Sequence, residues 1–431
     1  MNLTAKIRAK EAHVVVMGVG WAGLPLAVSL AEAGHRVTGL DPDVRKVALL
    51  GAGESYLSDV SPLRLGPLVD RGTLRATQDP KVLETADAVL VCVPTPLNKT
   101  RDPDLSYIVE ALEQIAAHQH APMLVVLEST TYPGTTRDVV VPRLTKNYEL
   151  GKEIFVAFSP ERVDPGNREY SVRNTPKVIA GASSACLQMA MDLYSGAIDS
   201  LVPVSSTDAA ELTKLLENTF RAVNIGLVNE IALMSRHLGV DVREVIAAAA
   251  SKPFGFMPFQ PGPGLGGQCV PVGPLYLSWK ARSLKCDARF IELADTVNRA
   301  MPAHVVSRAS DILGAHGKAL SDARVLIYGV AYKRDVADVR ESPGIDVLLG
   351  LEARAKEVAF LDPHVPVVEL EGRALSSLPP RSSFAPWDLV IVTTDHSALD
   401  RERLLREASR VLDTRGALRG LAQGSAEVYD L

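Results

Sequence analysis

Several groups of residues in this chain have types and spacings suited to chemistry. Cys269 follows a glycine-rich bend in "PGPGLGGQCVPVGPLYLSWK" (261–280). A cysteine there is a nucleophile if neighbouring donors or cations stabilise its thiolate, and otherwise a small hydrophobe. Lys214 and Asn218 lie four residues apart, hence on one helix face, where an ammonium and an amide can be aimed at one oxygen or simply be solvated. Glu161 closes an apolar run in "SPERVDPG", and a strand-end carboxylate either acts on a ligand or caps a turn. Gly18, Gly20 and Gly23 have the G-x-G-x-x-G spacing directly after a β-branched run. Gly18 permits the turn, Gly20 lets a pyrophosphate approach backbone N–H groups, and Gly23 allows a helix to lie close to the sheet. Asp41 ends the next strand about 20 residues on, where a carboxylate binds a ribose 2′-hydroxyl and repels a 2′-phosphate. Lys46 is a nearby cation that would tolerate a 2′-phosphate, but Asp41 sits closer to the expected ribose, so NAD is the expected cofactor rather than NADP.

These groups need a scaffold. With 431 residues, 47% of them hydrophobic, the chain can bury substantial cores and favours two or three domains. "HVVVMGVG", an Ala/Leu-rich segment to Gly34 and "RVTGLD" read as strand, turn, helix and strand. Further apolar runs at 86–94, 121–130 and 153–161 are separated by segments long enough for crossover helices, which predicts a parallel sheet. From Ser205 about thirty residues run without proline, with apolar residues three and four apart, predicting a long helix capped near Ser206, Thr207 or Asp208 and ended by Gly239. A second helix is expected over "ARFIELADTVNRAMPAHVVSRASDIL", with an irregularity at Pro302. Strand signals return at 324–330, 356–363, 388–395 and 410–416. The expected fold class is α/β, with two Rossmann-like doubly wound domains joined by a long central helix. The expected division is a cofactor domain at 1–204, a central helical domain carrying the cysteine loop at 205–315, and a ligand-binding domain at 316–431. An interdomain cleft is the natural place for chemistry.

Composition narrows the partners. The net charge is −5 and no sustained basic run occurs, so no nucleic-acid footprint is expected. The start reaches only a short apolar run ending in glycines, unlike a signal peptide or membrane span, which predicts a cytoplasmic protein without a membrane partner. Cys92, Cys186, Cys269 and Cys286 stand far apart with no zinc-like spacing, so neither a disulfide framework nor a metal site is expected.

The segments "GVGWAGLPLA", "VPTPLNKTRDPD", "LESTTYPGTT", "FSPERVDPG", "ELTKLLENTFRAVNI", "PGPGLGGQCVP", "GVAYKRDVADVRESP" and "LDTRG" occur in that order along nearly the whole chain. Together they resemble the UDP-glucose/GDP-mannose dehydrogenase family, whose members oxidise a hexose CH2OH to a carboxylate with two NAD+. "ENTFRAVNI" and "PFGFMPFQPGPGLGG" look more like the branch acting on UDP-N-acetylhexosamines. The resemblance implies Cys269 as the nucleophile, Lys214 and Asn218 as the oxyanion-stabilising pair, and Glu161 and Thr130 beside the reacting centre. It implies cofactor contacts at Val19, Lys46, Thr95 and Thr130. Substrate contacts implied are Glu161, Arg162, Val163, Lys214, Asn218 and Arg221, the 259–267 loop with Phe259, Gly264 and Gly266, and Tyr332, Lys333, Arg340 and Arg415. It further implies a nucleotide-sugar substrate and a homodimer built on the long helix.

This chain departs from the family pattern at two places. The family cysteine motif continues to an aspartate four residues after the thiol, and here that residue is Gly273; Gln268 stands where serine or histidine is usual. In the family that aspartate works with the lysine in proton transfer and water activation. Three readings follow: a dehydrogenase in which Glu161 or water compensates, a diverged enzyme that stops at two electrons or epimerises, and a non-catalytic nucleotide-sugar binder.

Overall fold

The structure, a computed structural model, describes residues 2–57, 59–164, 166–167, 169–370, 372–421 and 424–431. It divides into two compact units, Met1–Glu217 with Leu275–Cys286, and Asn218–Pro274 with Asp287–Leu431.

The first unit is built on an eight-stranded sheet in the order β3-β2-β1-β4-β5-β6-β7-β8. Its strands are β1 His13–Met17, β2 Arg36–Leu40, β3 Leu74–Thr77, β4 Ala88–Val91, β5 Met123–Leu127, β6 Ile154–Phe158, β7 Lys177–Gly181 and β8 Leu201–Pro203. All five residues of β1 are buried, because helices cover both faces of the sheet. Side chains alternate along a strand, so Val14 and Val16 join one core with Leu24, Leu90 and Leu124. Val15 and Met17 join the other core with Val89, Leu112 and Val125. The strands expected from the apolar runs, β1, β2, β4, β5 and β6, pair in parallel, and beyond them β7 runs antiparallel to β6. No helix is described between those strands, and a parallel return requires a crossover.

The long helix spans Thr207–Leu238. Ser206 caps it, its hydroxyl accepting from the Ala209 N–H at 3.2 Å, and Gly239 ends it at φ 67°. The cysteine helix, Cys269–Ser283, begins at the thiol itself. Arg289–Ala315 is one helix that continues through a buried Pro302.

The second unit carries an all-parallel sheet in the order β10-β9-β13-β14-β15. Its strands are β9 Arg324–Tyr328, β10 Glu357–Leu361, β13 Leu389–Val392, β14 Arg410–Asp413 and β15 Glu427–Asp430. An antiparallel hairpin, β11 Val367–Leu370 and β12 Arg373–Ser376, stands apart from it. Buried Val325, Ile327, Leu389 and Ile391 pack on one face, and Leu326, Val390 and Val392 on the other. Among the described residues no helix is long and apolar enough to cross a membrane.

Candidate active site

The glycine fingerprint lies at the carboxyl end of β1. Gly18 has φ 86°, and a Cβ there would stand 2.6 Å from the Cys92 carbonyl oxygen; one on Gly23 would stand 1.9 Å from the Gly18 oxygen. Gly20 differs, since a Cβ there would meet nothing within 4 Å. The open surface over Gly20, at the start of helix Gly23–Glu32, is the cradle a dinucleotide pyrophosphate requires. Asp41, only 4% exposed, accepts the Val19 N–H at 3.0 Å and the Asp43 N–H at 2.9 Å, which fixes it against the glycine turn. Lys46 pairs with the same carboxylate at 3.3 Å. Its charge is thus turned onto Asp41. These residues fit an NAD-type dinucleotide.

The ends of β4, β5 and β6 supply the other predicted residues of this unit. Thr95 is buried after β4, and the Tyr276 hydroxyl donates to the next carbonyl, Pro96, at 2.9 Å. After β5, Ser129 donates to the Val93 carbonyl at 2.7 Å and Thr131 is buried, which leaves Thr130 as the more accessible member of the run. Glu161 follows β6, and its Oε1 accepts from the N–H groups of Arg162 at 2.8 Å and Val163 at 2.6 Å. One carboxylate oxygen therefore shapes its own loop. Arg162 donates to the Pro176 carbonyl at 2.7 Å and pairs with Glu217 on the long helix at 2.6 Å. Lys214, one turn before Glu217, is 8% exposed.

In the second unit Cys269 is exposed and opens its helix. The unsatisfied N–H groups of a helix's first turn favour negative charge on a group placed there. Asn218 is 6% exposed, and its Nδ2 has no hydrogen-bond partner among the described residues. Gly273, the fifth residue of the cysteine helix, packs against that amide: a Cβ there would lie 2.7 Å from Asn218 Nδ2. In this chain the asparagine lies directly against the bare backbone of residue 273. Gln268 has a partner too, because its Oε1 accepts from Arg340. Arg340 also forks onto Asp338, through Nε at 2.9 Å and Nη2 at 2.6 Å. Burial pulls the Arg340 pKa down, but Asp338 outweighs it, and with smaller attraction from Cys269 and Tyr332 the pKa is raised.

The glycine bend is clamped by the loop after β9. Gly267 donates to the Arg340 carbonyl at 2.9 Å, and Cβ atoms on Gly266 or Gly267 would run into Tyr332 at 2.5 and 2.8 Å. Gly264 adopts φ 137° against Pro343. Phe259 meets Phe220 edge-on at 5.8 Å, beside the exposed Arg221. Arg415 donates to the Thr393 carbonyl at 2.8 Å, and burial lowers its pKa to about 10. Lys333 follows Tyr332 in the same partly buried loop.

Sequence reasoning missed three features. Glu128 pairs with Lys177 at 2.7 Å and accepts from the Tyr194 hydroxyl, all three side chains being buried. Burial raises the Glu128 pKa against the opposing pull of Lys177. Glu211, 0% exposed, accepts from the loop at 134–136. Asp335, His364 and His396 gather their ligand-type atoms within 4.8 Å. His396 nevertheless offers no lone pair, since Nδ1 accepts the Asp335 N–H at 3.0 Å and Nε2 donates to Asp362 at 3.1 Å. That cluster anchors a loop.

Three family models match the chain in order. They are the NAD binding domain of the UDP-glucose/GDP-mannose dehydrogenase family over residues 12–198, its central domain over 208–300, and its UDP binding domain over 326–420. The chain is 33% identical over 359 residues to UDP-N-acetyl-D-glucosamine 6-dehydrogenase from Pseudomonas aeruginosa, covering 83% of this chain and 84% of that protein. It is 32% identical over 392 residues to UDP-N-acetyl-D-mannosamine dehydrogenase from Methanococcus maripaludis, covering 89% and 86%. Among solved structures, a UDP-N-acetyl-D-mannosamine dehydrogenase from Pyrococcus horikoshii superposes with a TM-score of 0.87 at 30% identity, covering 97% of this chain and 98% of that one.

Proposed function

We propose, from the premise that the chain belongs to the UDP-glucose/GDP-mannose dehydrogenase family, that it oxidises C6 of a UDP-N-acetylhexosamine to the uronic acid. The protein is an NAD-dependent oxidoreductase of the nucleotide-sugar dehydrogenases. The acetylated hexose is favoured by the relatives named above, which act on UDP-N-acetyl sugars. Bound NAD supplies the hydride acceptor for both oxidations, one cofactor molecule per hydride.

The chain's own groups perform the rest. The Cys269 sulfur adds to the C6 aldehyde left by the first oxidation, forming a C–S bond and an alkoxide. Lys214 and Asn218 hold that oxyanion. Loss of the second hydride from C6 leaves a thioester on Cys269; water adds to its carbonyl, the C–S bond breaks, and the thiol and the acid are released. The observation that carries this reading is the buried Asn218 amide, whose Nδ2 has no hydrogen-bond partner among the described residues and lies against Gly273 of the helix that Cys269 begins. Tyr332, Lys333, Arg340 and Arg415 are assigned to the nucleotide diphosphate, whose phosphates attract the positive charge of the last three.

Glu161 and Thr130 are assigned to the sugar's reacting end, and residues 1–204, 205–315 and 316–431 to cofactor, helical and nucleotide-sugar domains. A second copy of the chain is assigned to the long helix, which exposes Leu212, Leu216, Phe220, Leu227, Met234 and Leu238. The setting is the cytoplasm. Incubation with NAD+ and a panel of UDP-hexoses, followed by mass spectrometry, is expected to give two NADH and one acid per sugar. Gly273 favours one rival, a redox-neutral or two-electron enzyme. An epimer without net NADH, or an aldehyde with one NADH, would establish it instead.

A further inference from the structure

The long helix holds a carboxylate that the reaction above does not use. Glu211 is 0% exposed. Its Oε2 accepts the Gly134 N–H at 2.6 Å, and its Oε1 accepts the Thr136 N–H and the Thr136 hydroxyl, each at 2.7 Å. These donors open the helical segment Thr136–Leu144, which follows directly from the Thr130 loop. An apolar residue would fill the same space without the desolvation cost of a carboxylate, so the donors it holds are the reason for its charge. Other bonds of the loop run elsewhere. Ser129 ties it to the end of β4, Thr131 and Thr135 bond each other at 2.7 Å, and Tyr132 stacks on Trp279 at 4.9 Å. A second link to the long helix, Arg137 with Asp208 at 2.7 Å, joins a 60% exposed guanidinium to a 34% exposed carboxylate, and such a pair is weak. Lys214 lies three residues beyond Glu211, on the same helix face.

We propose that Glu211 is a positioning residue: it locks the 130–136 segment to the turn of the long helix that carries Lys214, so that Thr130 and Lys214 are presented as one body. The role assigned to those two residues rests on the function proposed above; the lock itself does not. Burial pushes the Glu211 pKa up to about 7, against the lowering effect of its three hydrogen bonds and with a raising contribution from Asp208. The other charged or titratable groups around the lock are Tyr132, whose own pKa Glu211 helps to raise, and Arg137, Asp138 and Lys280 around Gly134. Protonation would set an O–H against backbone donors and release one of them. The lock therefore holds above about pH 7 and loosens as pH falls through that value.

The test uses the full-length chain with Glu211→Gln, which keeps the shape but turns an NH2 group toward one donor. Amide exchange at Gly134 and Thr136 is expected to accelerate about tenfold or more, the worth of a charge-assisted hydrogen bond. Turnover of the UDP-sugar is expected to drop about 10²-fold, as for a reacting group misplaced by about 1 Å, with KM for the sugar little changed. The acid limb of kcat present in the wild type should be absent from the variant. Thr136→Val, which removes one donor and keeps the backbone N–H, should shift exchange and kcat in the same direction by a smaller factor, and it decides the matter if the Gln variant does not fold. Unchanged exchange at 134–136, or kcat within twofold of wild type with its acid limb intact, overturns the proposal. If wild-type protein turns over none of the sugars, the assigned function fails, and the exchange measurement still decides whether Glu211 locks the segment.

Discussion

Gly273→Ala isolates what the glycine does. The residue is helical and its backbone is compatible with alanine, so the substitution by itself adds about 1 kcal/mol of helix propensity. The new Cβ, however, would stand 2.7 Å from Asn218 Nδ2, 3.3 Å from its Cβ and 3.4 Å from its Cγ. Relaxed contacts between such atoms lie near 3.5 Å, so the amide must withdraw by about 1 Å. Asn218 is 6% exposed and has little room to do so; turning it about 30° off its rotamer costs roughly 0.5–1.5 kcal/mol. The two stability terms nearly cancel, and Tm is expected to stay within a few degrees. Activity is another matter, because losing one oxyanion donor, the role proposed for Asn218, lowers kcat by about 10²–10³. NADH formation from the preferred UDP-sugar measures this directly. An alanine variant with kcat within threefold of wild type would refute the reasoning that a side chain at 273 displaces the Asn218 amide. Gly273→Asp adds the same Cβ together with a carboxylate, so its difference from the alanine variant, rather than from wild type, reports what a base at that position contributes.

Further outcomes can be checked more briefly. Cys269→Ala should abolish acid formation while calorimetry shows nucleotide-sugar binding retained; continued acid production removes the thiol from the chemistry. Asp41→Ala leaves the Val19 and Asp43 N–H groups without their acceptor, and should raise the KM for NAD about tenfold or more while narrowing the preference over NADP. Lys177→Ala strands the Glu128 carboxylate in the core, which should cost about 3–5 kcal/mol and appear as a large drop in Tm. Leu227→Glu places a charge in the exposed apolar stripe of the long helix, and light scattering should then find half the wild-type mass if a second copy covers that stripe.

What the sequence disclosed depends on how local each feature is. The glycine turn and Asp41 were legible because the turn, the helix start and the strand end all lie within one stretch of chain, and each residue type has a steric or electrostatic reason to be there. The long helix was legible from its period. β3, β8 and β15 were not, because "LRAT", "LVP" and "EVYD" are short, partly exposed sheet-edge strands without an apolar run. Glu211 and the Glu128–Lys177 pair were invisible for a different reason. Their partners lie 75 and 77 residues away in the first case and 49 in the second, and only the folded chain brings a buried carboxylate to its donors.

The second sheet shows how a shared fold can hide its own fingerprint. Gly329 ends β9 at φ 84°, as Gly18 ends β1 at φ 86°. Asp362 follows β10 as Asp41 follows β2, and it accepts the N–H groups of Val330 at 2.7 Å and Ala331 at 2.9 Å, much as Asp41 accepts that of Val19. The resemblance stops at the ligand. Asp362 also accepts from the His364 and Val365 N–H groups and from His396 Nε2, and its side chain is 0% exposed. A carboxylate so fully engaged by its own chain has no acceptor left for a ribose. The residue in the place of Gly20 is Ala331, whose N–H already belongs to Asp362. A nucleotide bound by this sheet must therefore be held by side chains of the surrounding loops, the role proposed above for Tyr332, Lys333, Arg340 and Arg415, rather than by a glycine spacing.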